Sequence, residues 1–116
     1  MVTKIELHKI LNNPDQVAGD QKSLFALVVL GLIDSLATGA MSVDSAVDAF
    51  FHVDNCLFVH EQMPERNAEQ IMSRGVQLPD LFLVLPAAEA ERECQRELST
   101  MRTLCLLLLK EPQLVA

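Results

Sequence analysis

The ten residues from Leu24 to Ile33 carry no polar side chain, and this run limits the chain's folding options more than any other feature. Crossing a bilayer takes roughly 20 such residues, so a run of half that length has to be covered by protein instead. A helix with apolar residues around most of its circumference belongs at the centre of a domain. The whole chain is 116 residues long and 50% hydrophobic, enough for one core and too short for two ordinary ones, so residues 1–116 read as a single domain. Leu, Val, Ala, Ile and Met supply most of the apolar mass, with five Phe and no Tyr or Trp. Such a core suits packed helices.

The punctuation along the chain predicts where those helices fall. Thr3 and Glu6 form a T-x-x-E capping box, which predicts a first helix over about residues 4–12, ending before Pro14. Asp20 caps a second helix that runs to about Thr38, where Gly39 supplies a left-handed ending. Ser42 caps the next, with Asp44 in its first turn and Val43, Ala46, Val47, Phe50 and Val53 on one face. Continuing that helix would carry Asp54 into the apolar stripe, so a break is expected there, with Asp54 as a new cap. Pro64 and Gly75 bracket a further helix, and Leu81 to Leu85 form a short apolar segment between Pro79 and Pro86. A last helix covers about residues 86–110. Ala87, Cys94, Leu98, Met101, Cys105 and Leu108 make its core-facing seam, which Glu91 interrupts. No strand alternation survives inspection. The expected architecture is all-α: an irregular bundle of about five helices with the second and last packed together at its centre.

Charge narrows the function. The net charge of −7 argues against nucleic acid, whose binding selects basic faces, and against anionic membranes. The imbalance is also local. No Lys or Arg lies between Lys22 and Arg66, while Asp34, Asp44, Asp48, Asp54, Glu61 and Glu65 all do. The polar beginning of the chain lacks the order of a secretory signal, and three cysteines at 56, 94 and 105 form neither a disulfide framework nor a zinc pattern, so a cytoplasmic protein with reduced thiols is expected.

Few residues suggest chemistry. His52, Cys56 and His60 follow at i, i+4 and i+8, a flank of metal-ligand types if one helix held all three, but the expected break diverts it. Asp34 ends the apolar second helix, and a solvated or capping role accounts for it. Asp44 and Asp48 share a polar face without the further oxygens a divalent ion needs. Cys94 and Cys105 lie roughly 16 Å apart along one helix and read as core residues. Neither a phosphate loop nor an arranged nucleophile is present. No catalytic, cofactor or metal site is therefore expected.

The segment Gly31-Leu-Ile-Asp-Ser-Leu-Ala-Thr-Gly-Ala-Met-Ser-Val-Asp-Ser-Ala-Val-Asp-Ala-Phe-Phe51 resembles part of a group of small, uncharacterised bacterial helical proteins. In that group a long helix ends at Gly, a Ser-capped helix closes on an apolar pair, and a capped break follows. The resemblance covers about a fifth of the chain and implies an all-helical fold and a bacterial source, with no activity to carry over. The residues favour a small acidic, non-enzymatic protein-binding module, of the kind an immunity or antitoxin protein represents, with Asp44, Asp48 and His52 facing a basic partner. A second reading is a structural or regulatory homo-oligomer assembled through Leu107 and Leu109 of the apolar last helix. A metal-binding protein ranks third.

Overall fold

The computed structural model describes residues 4–11 and 18–110. Among them every regular element is helical: α1 (Leu7–Ile10), α2 (Ala18–Ala37), α3 (Val43–Ala49), α4 (Val53–Gln62), α5 (Arg66–Val84) and α6 (Ala87–Leu109). The long helix α6 lies between α2 and α5, while α3 and α4 pack on α5 and α1 packs on α4. The second and last helices do meet, as expected, but α5 shares the centre with them. No helix among the described residues is long and apolar enough to cross a membrane.

Burial explains the arrangement. The α2 run is covered at Phe25, Ala26, Val29, Leu32 and Ile33, while Leu27 stays half exposed. On α6 the buried seam is Ala90, Cys94, Leu98, Met101, Cys105 and Leu108. It begins at Ala90, because Ala87 is exposed in the first turn, and Glu91 then lies just off the seam in the open. Between α5 and α6, Arg74 Nη1 reaches both carboxylate oxygens of Glu97, at 2.9 and 3.0 Å, a charge-assisted pairing that joins the two antiparallel helices.

The largest departure from the sequence reading is α5. Gly75 was expected to end one helix, with Leu81 to Leu85 a separate segment after Pro79, yet α5 runs through both Gly75 and Pro79 to Val84. The reason is a stripe of buried positions at Ala68, Ile71, Met72, Gly75 and Leu78, whose spacing keeps one helical face turned inward. Gly75 belongs to that stripe because Phe51 fills the space a side chain would take: a Cβ built on Gly75 would clash with the Phe51 ring. Pro79 has no amide to give the Gly75 carbonyl, and its ring crowds that same carbonyl. A glycine yields there more readily than any other residue.

The corner between α3 and α4 is equally specific. Ser42 caps α3, its hydroxyl accepting from the Ser45 amide at 3.1 Å, and Gly39 takes the left-handed φ of 81° that ends α2. The break after α3 falls at Phe50 to His52, so His52 rather than Asp54 occupies the cap position of α4, and Asp54 sits in its first turn. Phe50 and Phe51 meet edge to face at 5.2 Å, and Phe50 reaches Phe25 of α2 at 6.0 Å.

Asn55 ties this corner to the start of the chain. It is 1% exposed, and its amide nitrogen donates to the carbonyls of Ile5 and Phe50, both at 2.8 Å. Its oxygen accepts from the Leu7 amide at 2.9 Å. Ile5 is drawn further in by its own amide, which donates to the Ala49 carbonyl at 2.7 Å. This is why residues 4–6 are not helical and α1 starts at Leu7, later than the capping box implied. Thr3 of that box lies outside the described residues.

Two outcomes follow. Gly75→Ala, which in an ordinary helix interior would stabilise by about 1 kcal/mol, should here destabilise by about 1–3 kcal/mol through overpacking against Phe51; urea unfolding gives the sign directly. Asn55→Asp, nearly isosteric, loses both donors and sets a carboxylate against two carbonyls. It should lower stability by at least about 2 kcal/mol and expose the amide of Leu7 to hydrogen exchange.

Candidate binding surface

The fold divides the acidic interval. Two of its carboxylates meet lysines that come from outside it: Lys4 lies 3.4 Å from Asp54 and Lys22 3.8 Å from Glu65. Asp34, Asp44 and Asp48 are exposed, and no ion pair among the described residues engages them. Asp44 and Asp48 are one turn apart on α3, so their carboxylates stand side by side. Asp34 projects from α2 in the open, where solvent accounts for it.

Beside Asp44 is a cleft of about 660 Å³. Leu36 at the end of α2, Met41 in the following turn, Val43 of α3 and Phe82 of α5 supply apolar wall, and Glu91 and Cys94 border it from α6. The volume falls in the range of roughly 300–1,000 Å³ common for ligand sites. Asp44 and Glu91 are the charged residues on its border, and both are acidic.

His52 is not on this surface as a free group. Its Nδ1 accepts from the Asn55 amide at 3.4 Å and its Nε2 lies 3.0 Å from the Ile5 carbonyl, so the proton belongs on Nε2, which donates. His60 is exposed, with Nδ1 2.7 Å from Glu69. Cys56 is half-buried against the core. The three therefore have separate tasks, and no group of three or more His, Cys, Asp or Glu side chains among the described residues is placed to hold a metal ion.

Burial keeps the thiols protonated. Desolvation pushes Cys56 up, pushes Cys94 up with help from the carboxylates of Glu91 and Glu97, and pushes Cys105 up to about 12 against a small opposing pull from Arg102. On the far part of α6, Leu107 is half exposed beside an equally open Leu106, whereas Leu109 is partly buried against the chain's own core.

Asn55, the Arg74–Glu97 clasp and the cleft were not anticipated from the sequence. Of the cleft's border, Asp44 stands out in the sequence for its charge and Glu91 because the expected α6 seam places an apolar residue there. No protein-family model, curated protein or solved structure matches this chain.

The thiol environments give an order of reactivity. With iodoacetamide at about pH 8, Cys56 should label first, and Cys94 and Cys105 only once urea unfolds the protein. Native labelling of Cys94 as fast as Cys56, read by mass spectrometry, would mean that the cleft floor is open.

Proposed function

We propose that this is a non-enzymatic, cytoplasmic protein-binding module that presents the outer face of α3 to a basic partner protein. The observation that carries the reading is the fate of the acidic interval: Asp54 and Glu65 are matched by lysines, while Asp34, Asp44, Asp48 and Glu61 stand exposed without a cation among the described residues, and of these Asp44 and Asp48 are adjacent on one helix. A patch of one sign speeds encounter with an opposite one and rejects like-charged surfaces. Nucleic acid and anionic membranes are disfavoured partners for a chain of charge −7. His52 contributes by fixing the corner that follows α3, and no cofactor or metal is required. A small acidic module of this kind is what an immunity or antitoxin protein represents; the resemblance of Gly31 to Phe51 adds a bacterial source and no activity.

Replacing Asp44 and Asp48 together by Lys should reduce capture of a stoichiometric basic protein from host lysate by about tenfold or more at low salt. The folding midpoint should barely move, since both sites are exposed. Undiminished capture by the folded double variant would remove α3 from the interface.

A second reading, a homo-oligomer assembled through α6, is favoured by the adjacent exposure of Leu106 and Leu107, 54% and 50%. Leu109 would contribute less, being committed to the core. On this reading wild-type protein is oligomeric by light scattering and Leu107→Glu turns it into monomers; a monomeric wild type eliminates it.

A further inference from the structure

Two features remain once the α3 surface is assigned: an exposed carboxylate at Glu91 beside the α6 seam, and an exposed phenylalanine. Phe25, Phe50, Phe51 and Phe58 are all at least nine-tenths buried, whereas Phe82 is 40% exposed. Both features border the cleft beside Asp44. We infer that this cleft receives an apolar anchor side chain carried on a basic, amphipathic segment of the partner protein, an inference that rests on the partner-binding reading of α3.

The chemistry of the walls selects that occupant. Leu36, Met41, Val43 and Phe82 offer apolar surface that gains by being covered. A purely apolar ligand would strip water from Asp44 and Glu91 without replacing it, which is unfavourable for an ionised group. A purely cationic ligand would leave Phe82 and Met41 uncovered. A segment with a large apolar side chain flanked by Lys or Arg satisfies both, with its cations reaching the two carboxylates. The cleft is thereby continuous with the α3 patch through Asp44. The buried anchor supplies most of the affinity and the rim charges supply rate and selectivity.

The test uses two synthetic helical peptides, one of Leu and Lys with an apolar face and one with Ser in place of Leu at the same charge. Each is titrated into the full chain and into Phe82→Ser, Glu91→Lys and Asp48→Lys variants, with folding checked by circular dichroism and binding followed by NMR. The Leu/Lys peptide should bind saturably and shift the Met41 methyl and Val43 signals. Phe82→Ser should weaken it by about thirtyfold, the loss of one anchor contact. Glu91→Lys, at an exposed site that leaves the core intact, should weaken it by about fivefold or more, and Asp48→Lys should weaken both peptides alike. Equal binding of the two peptides with no effect of Phe82→Ser would overturn the cleft while Asp48→Lys still reported on the α3 surface. Binding of neither peptide would remove both. Shifts at Met41 and Val43 that grow with protein concentration alone would give the cleft to a second copy of this chain, and would also overturn the proposal.

Discussion

The contact between Phe51 and Gly75 is the constraint on which the rest of the structure depends. It joins the corner after α3 to the middle of α5 at a distance no other residue at position 75 would permit. By occupying the inward face where a side chain is missing, the ring keeps α5 helical through a glycine and then a proline. The helix therefore reaches Phe82, and Phe82 reaches the cleft. Were α5 to stop at Gly75, the acidic face of α3 would have no apolar neighbour from that helix.

Asn55 holds the other side of the same corner. A buried amide that spends its oxygen on Leu7 and its nitrogen on Ile5 and Phe50 converts a loose beginning of the chain into a strap across α4. A buried backbone group left without a partner costs about 1–3 kcal/mol. His52 reinforces the strap through the Ile5 carbonyl. His52, a metal-ligand and partner-binding candidate in the sequence, and Asn55 thus have a structural task, while Asp44 and Asp48 stay exposed.

What could be read from the sequence was whatever local chemistry decides. The Ser42 cap, the left-handed Gly39, the extent of α6 and the all-helical class follow from residues acting within one turn of the chain. What escaped depended on partners distant in sequence. Gly75 looks like a terminator until Phe51 is placed on it, and the Thr3–Glu6 box looks like a helix start until the Ile5 backbone is claimed by Ala49 and Asn55. The cleft was illegible for the same reason, since Asp44, Phe82 and Glu91 come from three helices. Asp44 and Glu91 stood out in the sequence singly, but their meeting beside Phe82 did not.

A folded corner that exposes two unpaired carboxylates beside an apolar cleft is a coherent arrangement for recognising a basic surface, and its geometry depends on α5 remaining one helix. The most direct measurement is an isotope-edited NOE spectrum with backbone carbon shifts across residues 66–84. Helical shifts continuing through Pro79 to Val84, with cross-peaks from the Phe51 ring to the Gly75 α-protons, are the expected result. Extended shifts beyond Gly75, or a Phe51 ring without contact to it, would contradict the account.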